Sequence, residues 1–293
     1  MKRILIIGAK GMLGRDLLRV LQSSFKGVEL IGWDIEEIDI RQEAHTCSKI
    51  AGLAPSLIIH LAAYTDVDGC EKNREEAFLV NAEGTRHVAL GAAEVGAKVV
   101  YLSTDYIFDG KKDRPYLETD LPNPLNVYGQ SKWRGEQYLQ EQVQNSLIIR
   151  TQWLYGRHGK NFISAMLGQA RVKESLQVVD DQVGSPTYTV DLSTAIEALV
   201  RLDCHGIFHA TNGGTCSWYE LARTIMEFSR IRHVRVSPCS SRALFRPAVR
   251  PGYSALSTEK LQRETGLVPR HWREALKEYL DANPDLIFLQ ERP

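Results

Sequence analysis

The chain has 293 residues, of which 43% are hydrophobic and 25% are charged, enough for one large α/β core and a smaller lobe. Lys plus Arg and Asp plus Glu both number 36, and no apolar run approaches the roughly 20 residues of a membrane span, so neither nucleic acid nor a membrane is an expected partner. The five cysteines are scattered without a C-x-x-C pair, which predicts neither a zinc site nor a disulfide framework and favours a cytoplasmic protein.

A short apolar strand and a Gly-rich turn open the chain. The run over residues 2–7 is too short for a signal peptide and ends in Gly8, Gly11 and Gly14. A helix is predicted to begin near Gly11. The glycines allow a tight turn and let backbone N–H groups approach a pyrophosphate at the helix N-terminus.

The next predicted strand, Val28 to Trp33, ends in Asp34. An acidic residue at this place can accept hydrogen bonds from the ribose of an adenosine. The strand, the turn, the helix, the second strand and its terminal acid together predict a dinucleotide-binding unit.

Strands and helices continue to alternate up to about residue 155. The predicted elements are a helix over 42–52, a strand over 57–62, a long helix over 74–95, a strand over 98–103, a helix carrying Tyr128 and Lys132, and a buried run over 146–150. This alternation predicts a Rossmann-type, doubly wound parallel sheet with ligands beyond the carboxyl ends of its strands. The residues expected along that edge are Gly8, Asp34, Ala62, Ala63, Thr104 and Trp153.

The second half is punctuated by prolines and has shorter strands. Helices are predicted over 191–201, 217–229, 258–265 and 272–280. Ser217 and Glu220 form a capping-box pattern, and Ser257 is the expected cap of the third helix. We therefore predict a Rossmann domain over 1–155 and a mainly substrate-binding, smaller α/β lobe over 156–293, from which strands can cross back.

Tyr128 and Lys132 form a predicted proton-transfer pair. Four residues apart on a helix, they share one face. The ammonium is expected to lower the pKa of a phenol that titrates near ~10 in water, and to contact the nicotinamide ribose. A ketone held by Thr104 could then accept a hydride at carbon while Tyr128 protonates its oxygen.

Four further residues each have two interpretations. Asn81 could hold backbone or water near the site, or be an ordinary polar helix residue. Asp105 could bind substrate or only end a strand. Trp153 could stack on a sugar or base, or belong to the core. Arg250, in an arginine-rich stretch, could clamp a phosphate or lie in a solvated loop.

Longer strings resemble a known family from Met1 to about Leu280. Gly8-x-x-Gly11-x-x-Gly14 with Tyr128-x-x-x-Lys132 is similar to the extended short-chain dehydrogenase/reductases, and several strings resemble the dTDP-4-dehydrorhamnose reductases among them. These strings are Ala62-Ala-Tyr-Thr65-Asp-Val-Asp68, Ser103-Thr-Asp-Tyr-Ile-Phe-Asp-Gly110, Pro124-Leu-Asn-Val-Tyr-Gly-Gln-Ser-Lys132, Asp181-Gln-Val-Gly-Ser-Pro-Thr187 and Arg250-Pro-Gly-Tyr-Ser254.

The resemblance implies an NAD(P)H-dependent reduction of the C4 ketone of dTDP-4-dehydro-β-L-rhamnose to dTDP-β-L-rhamnose. It implies that Thr104, Tyr128 and Lys132 are catalytic. The implied cofactor residues are Gly8, Gly11, Met12, Leu13, Gly14, Asp34, Asp39, Ile40, Leu61, Ala62, Ala63, Tyr64, Thr65, Asn81, Leu102, Tyr128 and Lys132. The implied substrate residues are Thr65, Val67, Thr104, Asp105, Tyr106, Tyr128, Trp153, Asn161 and Arg250.

The sequence departs from the family where some members dimerise through a carboxylate-bound magnesium ion. Asp16 could supply one ligand, but Val190 stands at the other matching position and Asp191 lies one residue off. We therefore predict no metal site and do not favour Mg²⁺, with a monomer or a homodimer both open. Asp34 favours NADH and Lys10 could attract the 2′-phosphate of NADPH, so both cofactors are expected to work.

Two other functions compete with this reading. One is another sugar-nucleotide reductase, epimerase or dehydratase, although the Asp-Glu pair of dehydratases is replaced here by Asp105-Tyr106. The other is a non-catalytic, cofactor-binding subunit like the regulatory subunit of methionine adenosyltransferase, which this chain also resembles. Turnover of a dTDP-sugar, or co-purification with a larger catalytic partner, distinguishes them.

Overall fold

The computed structural model describes residues 2–287, and its first half alternates strands with helices. In chain order the elements are β1 (Arg3–Ile7), α1 (Met12–Ser24), β2 (Glu29–Trp33), α2 (Glu43–Leu53), β3 (Leu57–His60), α3 (Val67–Lys72), α4 (Arg74–Phe78), α5 (Gly84–Val95), β4 (Lys98–Thr104), α6 (Val127–Gln142) and β5 (Leu147–Thr151). A π-helical turn, Leu79–Glu83, joins α4 to α5. Residues 74–95 are therefore helical throughout, as predicted, but the π-helical turn divides the single predicted helix into two α-helices. Helix α3 was not predicted.

The second half has shorter strands, as predicted. Its elements are β6 (Leu154–Tyr155), α7 (Phe162–Ala170), β7 (Ser175–Val179), β8 (Val183–Gly184), β9 (Thr187–Tyr188), α8 (Thr189–Arg201), β10 (Gly206–His209), β11 (Cys216–Ser217), α9 (Trp218–Phe228), β12 (Arg235–Cys239), α10 (Glu259–Thr265) and α11 (Trp272–Asp281). The capping box of α9 is confirmed, because Ser217 Oγ accepts from Glu220 N and Glu220 Oε2 accepts from Ser217 N. The cap predicted for α10 is wrong by one residue, since Thr258 and not Ser257 is its N-cap.

One six-stranded parallel sheet, in the order β10-β5-β4-β3-β1-β2, forms the centre of the fold. Helices α1 and α8 pack on one face, whereas α2, α5 and α6 pack on the other. Strands buried on both faces need apolar side chains at nearly every position, which is why β1, β3 and β5 read as continuous hydrophobic runs. The predicted Rossmann-type α/β fold is confirmed.

The chain crosses back to this sheet after its first excursion into the smaller lobe. Helix α8 packs on α1, and β10 pairs with β5 at the sheet edge. A second core, built from α7, β7, α9 and α11, forms the smaller lobe. The division at residue 155 stays a prediction. Within residues 2–287, no helix has the length and apolar character needed to cross a membrane.

Candidate active site

A cleft of about 690 Å³ opens where β1 to β4 end. It is lined by most of the residues predicted to bind the cofactor: Gly8, Gly11, Met12, Leu13, Gly14, Asp34, Asp39, Ile40, Leu61, Ala62, Ala63, Tyr64, Thr65 and Leu102. Asn81, Tyr128 and Lys132 lie outside its lining.

The Gly-rich turn is shaped as dinucleotide binding requires. Gly8 has φ +87°, and a Cβ on it would lie 2.8 Å from Ala62 N. A Cβ on Gly14 would lie 2.4 Å from Gly8 O. Helix α1 begins after Gly11 with no side-chain cap and no acid in its first turn, which leaves its N–H groups available to a pyrophosphate. The residues therefore fit a nicotinamide dinucleotide.

Charges of both signs surround the ribose end of this cleft. Asp34 accepts hydrogen bonds from Lys10 N and Ile35 N, both at 3.0 Å, which fixes its carboxylate at the end of β2. The exposed ammonium of Lys10 pairs with Glu36 at 2.8 Å. Lys10 thus provides a positive group for the 2′-phosphate of NADPH, and Asp34 provides a negative group for the ribose hydroxyls of NADH.

Sequence reasoning missed several cleft residues, among them Arg41. Its guanidinium donates to both oxygens of Asp39 and, at 2.9 Å, to Glu76. The Arg41 guanidinium beside Asp39 holds the pKa of that carboxyl at about 2. The sequence signal that could have indicated Arg41 is its position two residues after Asp39. Leu154 and Lys160 also line the cleft, and nothing in the sequence indicated them.

Close backbone packing places Tyr128 next to Thr104. Asn126 caps α6 by accepting from Gly129 N at 2.8 Å. A Cβ on Gly129 would lie 2.1 Å from Tyr106 O, so only glycine lets α6 lie against the turn after β4. The Thr104 side chain lies near enough to the Tyr128 phenol to lower its pKa, against the larger effect of burial, and the Tyr128 ring meets the Tyr106 ring edge-on at 5.9 Å. The structure thus brings together the predicted proton donor and the predicted carbonyl-binding hydroxyl.

The expected lowering of the Tyr128 pKa is wrong. Burial raises the pKa of the Tyr128 phenol, and the nearby Asp105 carboxyl raises it further. Burial also lowers the pKa of Lys132 to about 7. The Lys132 ammonium lies 4.0 Å from the Tyr101 ring centroid, so its charge faces that ring. Tyr128 is consequently a protonated phenol at neutral pH, the form that donates a proton.

Asp105 is a buried carboxyl at the same place. Its Oδ1 accepts from Thr104 Oγ1 at 3.1 Å, and Oδ2 has no hydrogen-bond partner in the described part of the chain. Burial raises the pKa of Asp105 to about 7. Asp105 also begins the turn after β4, and its contact with substrate stays a prediction.

Asn81 connects the first cleft to α6. It lies in the π-helical turn, where its amide nitrogen donates to Ser131 Oγ at 3.0 Å and to Tyr64 O at 3.2 Å. Its Oδ1 accepts from Tyr64 N at 2.8 Å. Of the two interpretations, holding backbone near the site is the one that this geometry supports.

A second cleft, also of about 690 Å³, lies in the smaller lobe and reaches Tyr106. Its lining combines an apolar floor with aromatic rings (Phe162, Trp218 and Phe245) and guanidinium groups (Arg242, Arg246 and Arg250). Arg250 is 11% exposed and makes two hydrogen bonds of 3.0 Å to Asp68. The solvated-loop interpretation of Arg250 is therefore wrong.

Trp153 packs inside an aromatic stack. It has φ +48°, an uncommon conformation for a bulky residue, and its ring lies on that of Trp218 with centroids 3.5 Å apart. Asn161 caps α7, accepting from Ser164 N at 3.0 Å and donating to Gly156 O at 2.9 Å. Val67 begins α3. Substrate contacts of Trp153, Asn161 and Val67 stay predictions.

The carboxylates considered for a metal have protein partners. Asp16 accepts from Thr189 Oγ1 at 2.6 Å, and Asp191 pairs with Arg270 at 2.8 Å. Across residues 2–287, no group of three or more His, Cys, Asp or Glu side chains could hold a metal ion.

A family model described as "RmlD substrate binding domain" matches residues 1–284. The chain belongs to this family. It is 42% identical to the Spore coat polysaccharide biosynthesis protein SpsK of Bacillus subtilis, over 96% of this chain and 97% of the relative. It is 40% identical to the dTDP-4-dehydrorhamnose reductase of Streptomyces griseus, over 96% and 93% of the two chains.

A solved structure of this kind is also similar. The dTDP-4-dehydrorhamnose reductase of Bacillus anthracis, in complex with NADP, has a TM-score of 0.92 and 38% identity, over 96% of this chain and all of the other. The family predicted from the motifs is confirmed.

Proposed function

We propose that this protein reduces the C4 ketone of dTDP-4-dehydro-β-L-rhamnose to dTDP-β-L-rhamnose with NADPH or NADH, the last step of dTDP-L-rhamnose biosynthesis. One observation carries the proposal: the Tyr128 ring meets the ring of Tyr106, which lines the arginine-rich cleft, and Tyr128 shares a small apolar cluster with Tyr64, which lines the Gly-rich cleft. A proton donor between a dinucleotide cleft and an anion-binding cleft suits hydride transfer to a nucleotide sugar. The similarity to reductases of that name supports the same substrate.

The chemistry needs one hydride and one proton. A nicotinamide cofactor, held by the Gly-rich turn, would supply the hydride for C4. Tyr128, kept protonated by burial, gives its proton to the C4 oxygen, which the adjacent Thr104 hydroxyl also orients. The charge of Lys132 stabilises the phenolate that remains until solvent reprotonates it.

The second cleft offers what a nucleoside diphosphate needs. Its arginines complement the two phosphates, since guanidinium groups bind phosphate oxygens in a fork. Its aromatic rings provide flat faces for a base or a sugar. Asp68 holds Arg250 in a fixed orientation, which lowers the entropic cost of using it.

The test is a turnover assay with enzymatically generated dTDP-4-dehydrorhamnose, following the loss of nicotinamide absorbance with NADPH and with NADH. The product configuration at C4 is determined by NMR. We expect dTDP-rhamnose from the native protein and almost none from Tyr128→Phe. Tight cofactor binding without turnover would instead favour another sugar nucleotide, or a regulatory subunit that co-purifies with a catalytic partner.

Location and assembly follow the same proposal. We place the enzyme in the cytoplasm, without nucleic-acid or membrane partners, as a monomer or a homodimer that needs no magnesium. Adding EDTA is expected to change neither turnover nor the mass measured by light scattering. A loss of mass that Mg²⁺ restores would contradict the metal-free assembly.

A further inference from the structure

The ammonium of Lys132 has few partners for a buried charge. The residue is 2% exposed. Within residues 2–287 no hydrogen bond or salt bridge of its side chain is found, and its Nζ lies 4.0 Å from the centroid of the Tyr101 ring. A cation over a ring face is stabilised most where water is excluded, as it is here.

The other groups that face Lys132 do not offer its ammonium an unpaired negative charge. Glu136, one turn further along α6, is the carboxylate that raises the pKa of Lys132, but it already holds Arg150 in a buried pair at 2.7 Å. His60 on β3 is neutral, because burial lowers its pKa to about 3. Tyr128 is a protonated phenol. Thus no unpaired anion competes with the ring for the ammonium.

Tyr101 is itself firmly held. Its hydroxyl donates to the Asn81 carbonyl at 3.3 Å, in the π-helical turn that also clamps Tyr64. A Cβ on Gly135 would lie 2.6 Å from the Tyr101 hydroxyl oxygen and 2.5 Å from Asn81 O. Because residue 135 is a glycine, α6 can pack directly against the Tyr101 ring and the π-helical turn.

We propose that Tyr101 is a positioning residue whose ring face holds the protonated ammonium of Lys132 in the active site. Its consequence for turnover rests on the proposed reductase function, whereas its effect on Lys132 does not. Weakening the negative face of the ring releases the proton of Lys132 at a lower pH. The expected shift on losing the ring is about one pH unit.

The experiment replaces Tyr101 by phenylalanine and by phenylalanines with increasing numbers of fluorine atoms. Fluorine withdraws electron density from the face of the ring with little change in its size. The protonation of Lys132 is followed in cofactor-free protein by NMR of lysines labelled at Cε, with Lys132→Arg to assign the signal. We expect Tyr101→Phe to titrate close to the native protein and each fluorination step to move the midpoint lower. If Tyr101→Phe does not fold, a fluorotyrosine series keeps the bond to Asn81 and gives the same comparison.

The same series at Tyr138 is the matched control, because Arg134 stacks on that ring at 3.9 Å on the same helix. It should leave the Lys132 midpoint unchanged. In the turnover assay, the alkaline limb of kcat/KM should fall in step with the NMR midpoint. A Lys132 midpoint independent of fluorination overturns the proposal, whereas stepwise midpoints without turnover in the native protein would overturn only the reductase assignment.

Discussion

At Tyr128 the loss of water around the phenol raises its pKa, although the Tyr-x-x-x-Lys pattern predicts the opposite. A sequence pattern gives the spacing of two side chains on a helix, but not which neighbour each of them faces. Lys132 faces Tyr101. Tyr128 therefore keeps its proton at neutral pH, as the proposed proton donor must.

Replacing Tyr128 by phenylalanine removes the proposed proton donor and keeps the ring that meets Tyr106. We expect kcat to fall by about 10² to 10⁴, with the affinity for NADPH nearly unchanged. Steady-state kinetics and a cofactor titration by fluorescence measure the two quantities. Unchanged kcat would remove Tyr128 from the mechanism.

Asp105 is expected to make stability decrease as pH rises. Its pKa is about 7 in the folded protein and near 3.8 when unfolded, so the unfolded chain loses the proton first. The folded state is therefore penalised progressively between pH ~4 and ~7. Asp105→Asn should remove this penalty and gain roughly 2–4 kcal/mol over the native protein on going from pH 5 to pH 8.

Urea unfolding of the native protein and of Asp105→Asn at pH 5 and at pH 8 measures this difference in the free energy of unfolding. Asp181→Asn is the control: hydrogen bonds from Ser240 and Ser241 lower the pKa of that exposed carboxyl, so it is ionised in both states above pH 5 and its removal should leave the change from pH 5 to pH 8 as in the native protein. An equal pH dependence for native protein and Asp105→Asn would show that Asp105 ionises normally.

At the scale of the element, α6 decides the geometry of the site. The asparagine cap, the Tyr-x-x-x-Lys spacing and the helix itself were predictable, since they depend on residues close in sequence. The roles of Gly129 and Gly135 were not, because the atoms that exclude a Cβ belong to Tyr106, Asn81 and Tyr101. The π-helical turn at Asn81 likewise interrupts a helix whose periodicity looked unbroken.

Gly129→Ala should separate α6 from the turn after β4. A methyl group 2.1 Å from Tyr106 O forces a backbone shift, and we expect a loss of about 1–3 kcal/mol in the free energy of unfolding together with reduced kcat. Gly168→Ala is the matched control, since that exposed helical position has open space and alanine favours a helix by up to about 1 kcal/mol. Equal stability of the two variants would contradict the close docking of α6.

Across the whole molecule, the second cleft depends on contacts between distant parts of the chain. Arg250 and Asp68, 182 residues apart, join the loop of the smaller lobe to α3 of the Rossmann half. Trp153 follows the main sheet and stacks on Trp218 of α9. Neither pairing has a signal in local sequence, because only the packing of the two halves brings these side chains together.

Arg250→Ala should weaken substrate binding by about 10- to 100-fold, the worth of a charge-assisted hydrogen bond of roughly 1.5–3 kcal/mol. Cofactor affinity should not change, because Arg250 lines the second cleft and is not among the residues that line the Gly-rich cleft. Arg250→Lys, which keeps the charge without the fork, should fall between. Binding of dTDP measured by calorimetry reports this directly, and an effect confined to kcat would argue against a phosphate contact.

The sequence by itself determined the Rossmann-type fold, the Gly-rich turn, the strand-end residues and the helix that carries Tyr128 and Lys132. These features follow from apolar periodicity and short spacings, which act between neighbours along the chain. Only the tertiary structure decided that Tyr128 keeps its proton, that Lys132 faces Tyr101, and that Arg250 pairs with Asp68. The physical reason is that desolvation and long-range contacts depend on which surfaces the folded chain buries together, and local sequence does not carry that information.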